Sequence, residues 1–468
     1  MRRRWEVRQL ARRAMGGSQG IQVGARAYDA GIDDIVARGA LELGLRIGEA
    51  MLSLGAAAAD VTAAIQRVVR TFGLDGCQVE LTFTAITVSY DRGVLVAPVT
   101  VMRLVRDRVV DYGRLAGVIA VADEVAGDDL SGEDAVDRLE WAHGELDSVI
   151  AAPRSYRRWV VTLALAALAG SVALLLGGGA SVALVAGATT AAIDRVTWAL
   201  SRWGLPPFYV QIVGAGLVTT VAVALLVVVP HLPVELEVLP PALVVASGIV
   251  VLLAGLSLVG AAEDALSGFP LTAAARSFEV VVLTLGIVVG IGGVLDIARR
   301  AGVQLEVIQV PPTTTPLLLQ GFAAAVVALS WAIASYARPR AVLVAGAAGA
   351  IAWIVSTLLL GSGIGPAVAG AVAALVVGFL SETFAPRFGV PAIVASVCGI
   401  VPLLPGLAVY RGMFQIVNDP QAGLIVGATV LLGAAMIGLG LAAGVTLGEF
   451  LASPLRLGTR NRRAPNEQ

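Results

Sequence analysis

The residues in this sequence best placed to do chemistry are a few charged and broken positions set among long apolar runs. Asp264 and Arg276, with Glu263 and Glu279, form a polar cluster between two such runs. A carboxylate there can hold an ammonium group or carry a proton, and an Arg can pair with either kind of carboxylate. Ionisable side chains in or beside apolar spans are costly, which makes them functional candidates. Glu382 ends a later run, Arg411 ends the next, and Asp194 and Arg195 end an earlier one. The alternative for each is a helix-end charge at headgroup level. Pro402, Pro405 and Gly406 interrupt another run. Each Pro deletes a backbone hydrogen bond, and the exposed amides and carbonyls can bind a carboxylate and an ammonium. The alternative is a kink that only shapes packing. Ser257 and Tyr410 could hydrogen-bond a substrate hydroxyl, although Ser in such helices commonly bonds its own backbone.

Other chemistries find little footing. Residues 34–153 have no HExxH, no GxSxG and no GxxxxGK[ST], so nothing in this part points to a zinc protease, a serine hydrolase or an ATPase. Cys77 and Cys398 stand apart without a CxxC partner or a nearby His, which predicts neither a metal site nor a disulfide. His143 reads as a surface helix residue. A net charge of −1 gives no bulk attraction to nucleic acid. No cofactor is implied.

The elements that must position these residues are membrane spans. Of 468 residues 57% are hydrophobic and 14% charged, against roughly 25% charged in a soluble protein. About ten apolar blocks follow one another, near 158–177, 179–194, 207–229, 240–262, 277–297, 315–336, 341–360, 364–381, 391–411 and 422–446. Most reach the roughly 20 residues needed to span the hydrocarbon layer. With the N-terminus placed inside, Arg154, Arg157, Arg158, Arg195, Arg202, Arg276, Arg338, Arg340, Arg387, Arg456, Arg460, Arg462 and Arg463 fall on inner segments, and only Arg299, Arg300 and Arg411 on outer ones. That bias predicts both termini in the cytoplasm. An internal echo pairs blocks four and nine: IVVLLAGLS (249–257) and IVPLLPGLA (400–408) agree at six of nine positions. This predicts a 5+5 inverted repeat, an arrangement common in secondary transporters. Ala254 stands where the second copy has Pro405, so the first copy is expected to be less broken.

Ahead of the blocks, residues 34–153 predict a compact α+β domain. Two helices fill 34–73, with Asp60 as a candidate cap of the second. Alternation from Val79 to Tyr90 predicts a strand run, Asp91-Arg92-Gly93 a turn, and Val94–Val101 the next strand. Helices are expected near 106–125 and 131–150, the latter opened by a Ser131/Asp134 capping box. The expected organisation is a basic tail (1–33), the cytoplasmic domain (34–153), two five-helix halves (158–300 and 315–450) and a cytoplasmic tail (451–468).

The chain resembles the threonine/serine exporter family from about 37 to 450. The likeness rests on the strand run QVELTFTAITVSY, the helix after Gly-Asp-Asp-Leu-Ser, the stretch LLAGLSLVGAAEDALSG followed by Arg276, and the run from Pro402 to Tyr410-Arg411-Gly412. The resemblance implies a multi-pass inner-membrane exporter of small hydroxy amino acids, driven by an ion gradient, with a cytoplasmic N-terminal domain. It makes Gly255, Ser257, Asp264, Arg276, Glu382, Pro402, Pro405, Gly406, Tyr410 and Arg411 the candidates for substrate binding or coupling. The implied partners are an amino-acid substrate, the lipid bilayer and protons, and no oligomeric state is specified. The competing readings are a membrane-anchored hydrolase using the N-terminal domain, and a gated channel or scaffold.

Overall fold

The computed structural model describes residues 34–92, 97–106, 108–127, 133–228, 241–252, 255–303, 315–418 and 422–460. The basic tail, the capping box at Ser131, the loop 231–240 and Ala254 lie outside them.

The N-terminal part opens with α1 (Asp34–Ser53) and α2 (Ala58–Thr71). Leu41, Leu45 and Met51 of α1 and Ile65, Val68 and Val69 of α2 are buried, as their helical spacing requires. Three antiparallel strands follow in the order β1 (Gln78–Leu81), β2 (Ala85–Tyr90) and β3 (Val99–Leu104). The single alternating run expected from 79 to 90 is therefore two strands. The chain reverses between Leu81 and Ala85, and Gln78 pairs with Ser89. The reversal takes Thr82, Phe83 and Thr84, and across it the apolar positions change phase from Val79, Leu81 and Phe83 to Ile86, Val88 and Tyr90, the sign of a turn that a reading of one continuous run passes over. The next strand lies later than expected, at Val99–Leu104, pairing Val88 with Val101. Helix α3 (Tyr112–Val125) starts after the expected 106 because the Asp111 side chain caps it, accepting from the Arg114 amide at 3.0 Å. Helix α4 (Glu133–Ala151) completes this part. His143 is no bare surface residue: its Nδ1 lies 2.8 Å from Arg46 Nη1 of α1.

Twelve further α-helices follow among the described residues: α5 (Arg158–Leu175), α6 (Ala180–Arg202), α7 (Pro207–Val228), α8 (Pro241–Ile249), α9 (Gly255–Leu266), α10 (Pro270–Arg300), α11 (Leu317–Ala334), α12 (Pro339–Gly361), α13 (Pro366–Phe384), α14 (Ala392–Ile400), α15 (Gly406–Asn418) and α16 (Gly423–Arg460). Among the described residues seven helices are long and apolar enough to cross a membrane: α5, α7, α10, α11, α12, α13 and α16. Exposed Leu184, Phe278, Leu318, Leu343 and Ile425 give the bundle an apolar exterior suited to lipid tails. The chain is a polytopic helical membrane protein. Of the other expected blocks, the second is the 23-residue helix α6. It runs on to Arg202, so Asp194 and Arg195 sit within it rather than at its end. The fourth and ninth are each two shorter helices.

These two interruptions coincide on the echo. Helix α8 stops at Ile249 and α14 at Ile400; α9 starts at Gly255 and α15 at Gly406. In the second copy a 3-10 turn, Val401–Leu403, leads to an extended Leu404. The first copy is also interrupted, against the expectation from Ala254. Gly248 and the β-branched Ile249-Val250-Val251 are weak helix formers, so a stop there needs no proline. The restarts meet: a Cβ on Gly255 would lie 3.3 Å from Leu404 Cδ1.

The N-terminal part is seated on one end of the bundle. Its apolar core continues into Ala332, Ala337, Ala341, Val342, Val394 and Cys398. The Tyr112 amide donates to Ser335 O at 2.9 Å, and Thr272 Oγ1 to Leu81 O at 3.4 Å.

Candidate functional site

The charged stretch after the first interruption is the densest polar feature at this junction. Asp264 does not follow its helix but lies inside α9, fully buried. One carboxylate oxygen accepts from the Ala58 amide at 3.0 Å, and the other lies 3.0 Å from Arg276 Nη1. Helix α2 begins at Ala58 and its own N-cap residue, Ala57, has no capping side chain. Asp60, expected as the cap, sits in the first turn. The cap therefore comes from the membrane part, where a carboxylate meets both an unpaired amide and the positive end of the helix dipole.

Arg276 lies in the second turn of α10 and is held against Gly260, where an added Cβ would lie 2.6 Å from Nη1. Its side chain, 13% exposed, faces a cavity of about 340 Å³. Ser257, Glu263 and Glu279 line the same cavity, with Val250 and Leu256 beside the first interruption and Val401 and Leu404 at the second. Trp331 and Leu168 add apolar wall. The N-terminal part closes one side with Leu52, Ser53 and Ala57 and with Arg108, Val109 and Tyr112. A 340 Å³ void lies at the small end of ligand sites. Guanidinium, carboxylate and hydroxyl groups on an apolar wall suit a small zwitterion.

A second group of carboxylates adjoins it. Asp60 feels the charges of Glu382 and Asp264, and Glu263 those of Asp60, Glu449 and Asp264. Glu449, on α16, accepts from Ser396 Oγ at 2.9 Å. Asp60, in the first turn of α2, is solvent-exposed by area yet crowded by surrounding protein. Burial by that protein, then Glu382, raise its pKa from 3.8 to about 6, with Arg67 opposing.

The structure thus brings Ser257 and Arg276 into one cavity, puts Asp264 behind Arg276, and puts Glu382 in the second group of carboxylates. Gly255, Pro405 and Gly406 line a separate apolar groove of about 350 Å³ on the other side of the interruptions. Pro402 is buried, packed toward Gly349. Arg411 lies within α15, which runs on to Asn418, rather than at a helix end; Tyr410 is on the same helix. Asp194 is bound by Arg158 and by Thr162 Oγ1 at 2.7 Å, away from the cavity. Sequence reasoning missed Arg108, Trp331 and Glu449 as neighbours of the site, and took Asp60 only for a cap. Arg108 sits in an Arg-containing linker that carries no motif, and Asp60 follows a run of alanines that reads as helix.

The comparisons with known proteins agree with one another. The family model described as "Putative threonine/serine exporter" matches residues 42–298, and that described as "Threonine/Serine exporter, ThrE" matches 320–451. A protein of Mycobacterium tuberculosis named "Probable threonine/serine exporter" is 42% identical over 437 residues, covering 92% of this chain and 79% of that protein. The "Threonine/serine exporter" of Corynebacterium glutamicum is 34% identical over 429 residues, covering 89% of this chain and 83% of that one. No solved structure matches. With family models matching on both sides of the second linker and two relatives aligned over most of their length, the chain belongs to the threonine/serine exporter family.

Proposed function

We propose that this protein exports threonine, serine and similar small hydroxy amino acids across the cytoplasmic membrane, and that the cavity at the two interrupted helices is where they bind. One observation carries the reading: both interruptions reach a single cavity that also holds Arg276, Glu263, Glu279 and Ser257. An Arg can receive the substrate carboxylate, a Glu its ammonium, and Ser257 its hydroxyl. The names of the two similar proteins support the substrate class. Ten spans in a 5+5 inverted repeat fit the order of the elements. In each half three uninterrupted helices precede an interrupted one, and a long helix, α10 or α16, ends the half. Two opposed halves can rock about a site between them.

Coupling to protons is the companion proposal. Asp60, Glu263, Glu382 and Glu449 gather beside the cavity, and their like charges favour proton uptake by Asp60 on the N-terminal part. A hydrolase reading has no comparable support, because the N-terminal residues nearest the cavity offer no nucleophile–base pair.

Reconstitution in proteoliposomes tests the proposal. Labelled threonine and serine should move, leucine should not, and an imposed proton gradient should drive the flux. Absence of threonine and serine flux under every gradient sinks the export reading; flux indifferent to protons but driven by another ion sinks only the coupling.

A further inference from the structure

The half of the cavity supplied by the N-terminal part holds a charge that the transport reading leaves without a task. Arg108 lies on the link between β3 and α3. From Val109 on, that link is tied down: the Val109 amide donates to Ser53 O at 2.8 Å, Asp111 caps α3, and the Tyr112 amide donates to Ser335 O on the membrane part. The guanidinium lies 3.7 Å from the centroid of the Phe83 ring and donates to Phe83 O. Stacking and that one bond set its plane, while the other donors of its fork make no hydrogen bond among the described residues. It lines the same cavity as Arg276.

Two guanidiniums facing one half-buried space repel each other. Burial first, and the Arg276 charge second, lower the Arg108 pKa, with Glu279 and Asp264 only partly compensating. Arg276 already has Asp264; Arg108 has a neutral carbonyl. An anion between them relieves the repulsion and fills the open donors, and a planar carboxylate matches both forks.

Building on the transport reading above, we infer that Arg108 of the N-terminal part is a substrate-binding residue, which joins Arg276 in gripping the carboxylate of the amino acid. Glu263 and Glu279 are left for the ammonium. The transport site is then incomplete without the N-terminal part, which acts as a wall of the binding chamber.

The test compares L-threonine with L-threoninol, which keeps the ammonium and hydroxyl and lacks the carboxylate, on full-length protein in nanodiscs. Labelled threonine is displaced by either compound. Arg108→Gln should weaken threonine about tenfold or more, the value of a charge-assisted hydrogen bond, and leave threoninol within about twofold. Arg106→Gln, in an exposed neighbour outside this cavity, should change neither. If Arg108→Gln does not fold, Arg108→Lys, which keeps the charge and loses the fork, should weaken threonine and spare threoninol. Threonine affinity unchanged by loss of the Arg108 fork overturns the inference, and so does an equal loss for both compounds, which would mark Arg108 as a mere support of the fold. Wild-type protein that binds no hydroxy amino acid would instead bring down the transport reading itself.

Discussion

A single carboxylate, Asp264, links three things in this molecule: a helix cap, a buried ion pair and the wall of the cavity. Replacing it with Ala removes the cap from α2, worth about 1 kcal/mol, and leaves the partly buried Arg276 without its partner, a further cost below that of a fully buried charge because the guanidinium still faces the cavity. Asp264→Asn keeps an oxygen for the Ala58 amide and loses only the charge. Purified Asp264→Ala should therefore melt well below wild type, with Asp264→Asn between them, and both should lose transport. Equal melting of all three would show that the bond to Ala58 does not hold the two parts together. Asp60 gives a pH prediction. Its pKa is raised on folding from 3.8 to about 6, so the folded protein binds this proton more tightly than the unfolded chain does. Stability from this group then falls as pH rises between 3.8 and about 6, and the penalty is complete above that window. Asp60→Asn should be more stable than wild type at pH 7.5 and should flatten the dependence across the window. Melting curves at pH 4.5, 6 and 7.5 check it; a variant less stable at pH 7.5 would contradict that crowding. Residue chemistry was half legible in the sequence. A charge beside an apolar run marks itself by its cost, so Asp264 and Arg276 could be found. Their partners could not, because Ala58 lies 206 positions away and Arg108 carries no local pattern.

Among the elements, the interrupted helices were legible where proline wrote them and illegible where it did not. Pro402 and Pro405 announced the second interruption. The first coincides with it position for position, yet it rests on weak helix formers and on packing of Gly255 against Leu404, and packing leaves no mark in composition. Helix α16 shows the same limit. Gly440, Gly444 and Gly448, one turn apart, let it approach the carbonyls of Ala367, Ala371 and Leu375 on α13, a close contact of the small-residue kind. The spacing is visible in the sequence, but the partner helix is not. A prediction follows for the prolines. Pro costs about 3 kcal/mol more than Ala inside a helix, so Pro402→Ala/Pro405→Ala together should let α14 and α15 join. If the extended Leu404 is needed to shape the cavity, threonine affinity should fall while the melting temperature holds or rises. Retained affinity would reduce the interruption to a packing kink; loss of both affinity and stability would show that the prolines serve the fold.

At the scale of the whole molecule, one face of the bundle is defined by what sits on it. The N-terminal part shares its apolar core with Ala337, Ala341 and Val394, and bonds the turn between α11 and α12 through Tyr112 and Ser335. Whichever side of the membrane holds that part must also hold Arg338, which is exposed beside the turn. The sequence reached the same grouping by another route, through the bias of arginines toward the inner segments. It could not place the N-terminal part against those segments, because the contact is made of alanines and valines indistinguishable from any other core. The two arguments together predict an orientation. In a chain stripped of its native thiols by Cys77→Ser and Cys398→Ala, single cysteines are introduced at Arg338, Ser201 and Gly363, all exposed. Helix α12 (Pro339–Gly361) separates Arg338 from Gly363 by one crossing, so these two must label from opposite sides. Ser201, at the end of α6, should behave like Arg338 if the arginine-rich segments are cytoplasmic. An impermeant maleimide on intact cells should therefore reach Gly363→Cys alone, and permeabilised cells should label all three. Labelling of Arg338→Cys from outside would invert the protein and put the N-terminal part outside the cell. Labelling of Ser201→Cys and Arg338→Cys from opposite sides would leave an odd number of crossings between them, and the two halves could not be upside-down copies of each other.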